Sequence, residues 1–159
     1  MVNLATSKRA SATSQSVGYL IWRLVNKWQK KQKAALEPHN ITPVQLLLLA
    51  GLAELSASSK EIKQSDLATY CRTDPMMTSQ IIRSLEKRRL LKRGKHEKDG
   101  RAIKLSPTEK GQQMVLAALP VMLETDKFFF AGLGDRTNEF ADAVNMLSGE
   151  RPRRRVPAA

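Results

Sequence analysis

One short segment constrains this chain more than any other. Leu91-Lys92-Arg93 and Arg101-Ala102-Ile103-Lys104-Leu105 read as two brief strands, the second with Arg101, Ile103 and Leu105 on one face. GKHEKDG lies between them, and Gly94 and the Asp99-Gly100 pair supply the positive-φ positions that a hairpin turn needs. Elsewhere the apolar spacing is helical, so the fold class is mainly α with one small β-hairpin. The hairpin is basic, with Lys95 and Lys98 in its loop and Arg101 at its exit. Placed directly after a pair of short helices, it has the form of a wing. Its cations would meet the phosphates or the minor groove beside a helix seated in the major groove. The alternative is a surface hairpin that is basic by chance.

The helix before the hairpin is Asp74 to Arg89, DPMMTSQIIRSLEKRR. Asp74 is placed to cap it, and Pro75 suits its first position, where a missing N–H costs nothing. Thr78, Ile81, Ile82 and Leu85 form a face that can bury. Pro75, Met76, Met77, Ser79, Gln80 and Arg83 fall on the outward side, which ends in Lys87, Arg88 and Arg89. Thioether, hydroxyl, amide and guanidinium groups on one exposed face suit the base edges of a major groove. A solvated amphipathic helix with two stray methionines fits the same segment taken alone. Ile62 to Tyr70 reads as a partner helix and Cys71-Arg72-Thr73 as a tight turn, completing a helix-turn-helix whose turn lacks the usual Gly.

Flanking helices are long. From Gln15 to Lys33, Val17, Leu20, Ile21, Leu24 and Trp28 keep one face, widened by Trp22 and Val25. Pro38 ends that helix, with Asn40 as a left-handed stop. Thr42-Pro43-Val44-Gln45 is a capping box opening a helix to about Leu55 that is apolar nearly all round and therefore central, followed by a turn over 56–60. Ser106-Pro107-Thr108-Glu109 reads as a second capping box, with Pro107 in the first helical position, and Pro120 should kink or divide the helix that follows. Phe128-Phe129-Phe130 comes next, and a last helix runs from about Arg136 to Leu147. These apolar faces exceed what a winged domain needs for its own core, and pairing with a second copy is their economical use. A small-molecule pocket against Tyr19, Trp22 or Phe128 is the other use of the same surface.

Charge is segregated along the chain. The net charge is +12, yet residues 60–105 carry 13 basic and 6 acidic side chains while residues 106–150 carry 3 and 7. A basic middle meant for a polyanion, joined to a section that does not touch it, explains that split better than an undifferentiated surface. Residues 1–14 read as a disordered leader without the apolar core of a secretory signal, and 149–159 as a basic disordered tail whose four arginines either meet phosphates or stay solvated. The longest apolar run, Leu46 to Ala53, is far shorter than the ~20 residues of a membrane span. The single cysteine, Cys71, excludes a disulfide framework and fits a cytoplasmic setting. His39 and His96 stand apart in loops, with no metal-ligand cluster, nucleophile–base set or phosphate loop, so no metal, cofactor or enzymatic chemistry is expected.

ITPVQLLLLAGLAEL, SDLATYCRTDPMMTSQIIRSLEKRRLLKR and DGRAIKLSPTEKG together resemble the MarR family of winged helix-turn-helix transcriptional regulators, continuously from about Ile41 to Gly111. The resemblance implies a single domain over 15–148. Its winged helix-turn-helix would span about 42–106 and its dimerisation helices about 15–37 and 108–147. It implies an intertwined homodimer on a pseudo-palindromic double-stranded DNA operator. Pro75, Met76, Met77, Ser79, Gln80 and Arg83 would lie in the major groove and Arg101 in the minor groove, braced by Asp99. It further implies a repressor relieved by a small aromatic effector, which Tyr19, Trp22 and Phe128 would receive. Departures are Lys63 where members carry a Ser or Thr cap, and Pro-Met-Met where many show Lys-Ser-Thr, which shifts readout toward thymine methyls. Cys71 reads as a packed residue rather than a redox sensor. The rival function is a nonspecific architectural or RNA-binding winged protein, which lacks the aromatic platform that single-stranded bases stack on.

Overall fold

Ser16 opens the first helix, α1 (Val17–Leu36), by accepting a hydrogen bond from Tyr19 N at 3.3 Å. The computed structural model describes residues 16–58, 61–95 and 103–150; the expected leader, the arginines of the tail, and Lys98, Asp99 and Arg101 lie outside them. A short 3-10 turn, Glu37–His39, ends α1, and Asn40 takes the left-handed conformation at φ 51° that the sequence suggests. The reciprocal capping box then forms as expected. Gln45 N donates to Thr42 Oγ1 at 3.3 Å, and Thr42 N donates to Gln45 Oε1 at 3.1 Å. It starts α2 (Pro43–Ser58), whose Leu46, Leu48, Leu49 and Leu52 are fully buried. This helix outlasts the expected Leu55 end. The hydroxyls of Ser56 and Ser58 donate to the carbonyls of Leu52 and Leu55, as serines in a helix do when they back-bond.

Ile62 does not begin a helix. Ile62–Lys63 form β1, paired antiparallel with a later strand (Ile62 opposite Leu105, Lys63 opposite Lys104), and Glu61 forms an ion pair with Lys104. The helix starts two residues later as α3 (Gln64–Cys71). Lys63 stands at its cap in extended conformation. Its ammonium can accept no hydrogen bond, so Asp66 makes the cap from the other side by taking Lys63 N at 2.9 Å. After a turn at Arg72 (φ 52°) comes α4 (Pro75–Lys87). Strands β2 (Leu91–Lys95) and β3 (Ile103–Pro107) complete a three-stranded antiparallel sheet in the order β1-β3-β2.

The second capping box is not where the sequence suggests. Ser106 and Pro107 stay extended because they pair with Lys92 and Leu91, and Pro107 is the last residue of β3 rather than the first of a helix. Thr108 caps instead. Its hydroxyl accepts from Gly111 N at 3.0 Å and donates to Arg89 O at 2.7 Å. From there α5 (Glu109–Phe130) runs through Pro120 undivided and includes Phe128–Phe130. Pro120 and Leu116 are both exposed, so the Leu116 carbonyl that loses its helical partner lies on the solvent side. Gly134, at φ 54°, breaks the 3-10 segment Ala131–Arg136 before α6 (Thr137–Leu147).

One core holds these parts together. Leu36 of α1 and Ala118 of α5 join the α2 leucines, Ile62, Leu67, Ile82, Leu85, Leu90, Leu91 and Leu105 in a single buried cluster. Where α1 crosses α5 the contact is polar. Trp28 Nε1 donates to Asp126 Oδ1 at 2.6 Å. The fully buried Gln32 amide donates to Met122 O at 3.1 Å and to Asp126, while Gln32 Oε1 has no partner. The first half of α1 and all of α6 bury no residue within the chain.

Candidate nucleic-acid interface

Asp74 anchors the start of α4 as the sequence suggests, its Oδ1 accepting from Met77 N at 2.9 Å, with Pro75 in the first position. Thr78 is fully buried, its hydroxyl held by Asp74 O at 2.8 Å and Thr73 Oγ1 at 2.7 Å. Ile82 and Leu85 seat the same face in the core. The opposite face stands clear. Met76 is 73 % exposed and Met77 38 %, and Pro75, Gln80 and Arg83 are exposed with them, while Ser79 is half-buried. A helix pinned by hydroxyl, isoleucine and leucine on one side thus offers thioether, amide and guanidinium groups on the other.

Two side chains that the sequence presents only as local features hold α4 in place. Gln45 reaches across from its capping box: its Nε2 donates to Ser84 Oγ at 3.2 Å and its Oε1 accepts from Arg88 Nη1 at 3.3 Å. Glu86 accepts from Arg93 of β2, with Nε at 2.7 Å and Nη2 at 2.5 Å, tying the end of the helix to the root of the hairpin. The Arg93 guanidinium holds the Glu86 carboxyl below the usual carboxylate range. Period and spacing carry no sign of either link, because each joins residues of different elements. Lys95 closes β2 opposite Ile103 and is exposed, as is Lys92.

The aromatic residues proposed for an effector do not share one cavity. Tyr19 and Trp22 stack on each other at 5.9 Å near the start of α1, with Arg23 over the tyrosine ring. Phe128 lines a cavity of about 460 Å³ farther along, with Leu24, Lys27, Lys31 and Phe140. Cys71 is half-buried with Sγ 3.8 Å from Leu47 O, and burial, then the charge of Glu54, pushes its thiol up. That is the opposite of a reactive cysteine. Among the described residues no group of three His, Cys, Asp or Glu side chains could hold a metal ion.

The family model described as MarR family matches residues 41–103. An uncharacterized HTH-type transcriptional regulator of Bacillus subtilis (strain 168), YdcH, is 34 % identical over 140 residues, which is 88 % of this chain and 95 % of YdcH. The chain belongs to the MarR family. As a MarR-family member it is a DNA-binding transcriptional regulator and not an enzyme. The MarR winged-helix fold also recurs in solved structures. The MepR–DNA complex of S. aureus superposes with a TM-score of 0.75 at 24 % identity, covering 84 % of this chain and 98 % of MepR. CouR from Rhodococcus jostii RHA1, bound to p-coumaroyl-CoA, gives 0.70 at 22 %, covering 85 % and 93 %.

Proposed function

We propose that this MarR-family chain is a cytoplasmic repressor that works as a homodimer, its two α4 helices reading the halves of a pseudo-palindromic operator about 10 bp apart. The observation that carries the reading is the two-sidedness of α4: a face locked by Thr78, Ile82 and Leu85, and an exposed face of Pro75, Met76, Met77, Gln80 and Arg83, with Ser79 at its edge. Lys95, Lys98 and Arg101 of the wing grip the flanking backbone and minor groove, with Asp99 bracing Arg101. The presence of DNA in the MepR structure supports this arrangement. Dimerisation is supported by the apolar side chains that one chain leaves uncovered, among them Trp22, 62 % exposed, in α1 and Leu147, 80 % exposed, in α6. No single helix among the described residues is long and apolar enough to cross a membrane.

An effector that relieves repression would be a small aromatic acid. Phe128 with Lys27 and Lys31 offers such a ligand a ring and two cations, and the p-coumaroyl-CoA in the CouR structure is of related chemistry.

Genome-wide mapping of bound fragments, followed by anisotropy titration on the recovered site, tests the function. A palindromic site that unlabelled RNA and random DNA fail to displace is expected. Equal displacement by either would overturn sequence-specific repression in favour of a nonspecific binder.

A further inference from the structure

The two ends of the reading helix are held differently. At its start the hydrogen bonds are local: Met77 N donates to Asp74, and the Thr78 hydroxyl bonds Asp74 O and Thr73. Ile82 and Leu85 add apolar burial, which is non-directional and resists a small tilt weakly. Polar links to other elements gather at the last turns. Glu86 pairs with Arg93 of β2, and the carbonyl of Arg88 accepts from Lys110 Nζ of α5 at 3.2 Å. Ser84 and the Arg88 side chain both meet Gln45 of α2.

Gln45 differs from the other partners in what lies behind it. Its Oε1 also accepts from Thr42 N, so one oxygen serves both the reading helix and the elbow where α1 gives way to α2. The chain bends by 69° there, between Val17–His39 and Pro43–Ser58. Gln45, Ser84 and Arg88 are all half-buried, so water competes less for these bonds than at an open surface. The elbow leads back along α1 to the exposed Trp22, which would meet a second copy. The amide thus stands between the element that would fix the distance between subunits and the element that would read DNA. Leverage is even. Arg88 and Met76 lie six residues either side of the buried Ile82, about 9 Å each way. Pivoting there, a shift of about 1 Å at Arg88 swings the first turn by about as much, more than a hydrogen bond to a base edge tolerates.

We infer that Gln45 is a positioning residue for operator recognition: its shared amide fixes the tilt of α4 against the α1–α2 elbow and so sets which half-site spacing the two readers accept. The inference rests on the homodimeric DNA reader proposed above. Gln45 acts through Ser84 and Arg88. It governs discrimination among operators rather than general affinity for DNA.

The test titrates the full chain by anisotropy against the mapped operator, random DNA, and operators with one base pair inserted or removed between the half-sites. Gln45→Leu removes all three side-chain links. Its operator affinity should fall at least about tenfold, as for losing hydrogen bonds that include a charged partner. Affinity for random DNA and the salt slope should stay at parent values, because no phosphate contact is lost. The penalty for altered spacing should shrink. Gln45→Glu keeps acceptors for Thr42 N and Arg88 and gives up only the bond donated to Ser84, so it should restore most of the selectivity. A role confined to stability would lower the melting temperature and leave the spacing penalty as in the parent, which would overturn the inference. Should Gln45→Leu not fold, Ser84→Ala combined with Arg88→Met removes both links to α4 and spares the capping box, with the same loss of spacing penalty expected. A parent protein that reads its operator without regard to spacing also overturns the inference and leaves the reading role intact. A parent that prefers no site overturns both.

Discussion

A Cβ on Gly111 would lie 1.9 Å from the carbonyl oxygen of Leu90, a backbone atom with no rotamer to escape into. Gly111→Ala is therefore expected to destabilise the protein by about 3 kcal/mol, the upper end for overpacking, and thermal melting should show a fall of roughly 6–12 °C. Cys71 makes a prediction of opposite kind. With its thiol pushed up by burial and by Glu54, the thiolate fraction at neutral pH is smaller than that of a free cysteine. Alkylation by iodoacetamide should be slower than for a cysteine peptide, and its pH midpoint should lie above the ordinary thiol value of about 8.5; a midpoint at or below that value would contradict the geometry. Met76 and Met77 are the exposed residues least expected on a solvated helix. Replacing both with Ala should alter discrimination at thymine positions more than it alters the salt slope, read by titrating operators with single thymine substitutions. At this scale the sequence was informative wherever the chemistry is local. Asp74 caps and Pro75 starts a helix through atoms a few residues away, and both were legible. Gln45 reaches partners 39 and 43 residues away and Arg93 joins a strand to the helix before it, and spacing within one element holds no trace of either link.

Among the elements, the long helices were legible because burial on one side imprints a period of 3.6 over many turns. β1 was not. Two residues cannot show an alternation, and Ile62 was absorbed into the apolar pattern of α3. Of the two outcomes expected at Pro120, a kink or a division, the helix is not divided, and Pro120 and Leu116 both lie on its exposed side. The start of α5 moved from Ser106 to Thr108 because the ladder with β2 holds 106–107 extended, a tertiary constraint invisible in S-P-T-E. Two predictions belong here. Asp66→Ala removes the acceptor that caps α3 in place of the usual hydroxyl, and should cost about 1 kcal/mol in urea unfolding. The Glu86–Arg93 link responds to acid in a definite direction. A carboxyl depressed in the folded state contributes stability above the unfolded carboxylate value, about 4.3, and loses it as pH falls through its lower folded value. NMR titration of Glu86 should find a midpoint below that value; one at or above it would mean the helix and hairpin are not joined in solution.

At the scale of the whole molecule, the chain leaves several large apolar side chains uncovered, with Trp22 62 % and Leu147 80 % exposed. Trp22 near the start of α1 and Leu147 at the end of α6 are expected to pack against a second copy. Trp22→Glu should convert a dimer to a monomer in sedimentation velocity at micromolar concentration, and operator binding should weaken as the two readers become independent. A parent protein that sediments as a monomer would remove the basis of that expectation. The crossing of α1 and α5 bears on how such an assembly can move. Trp28 and Gln32 both reach Asp126, and Gln32 also takes Met122 O, with its remaining oxygen already unserved. Sliding either helix by one turn, about 5.4 Å, would separate all of these partners and leave the fully buried Gln32 amide unpaired. The two helices are therefore geared by a single tooth. In the proposed dimer they are expected to move together as one strut.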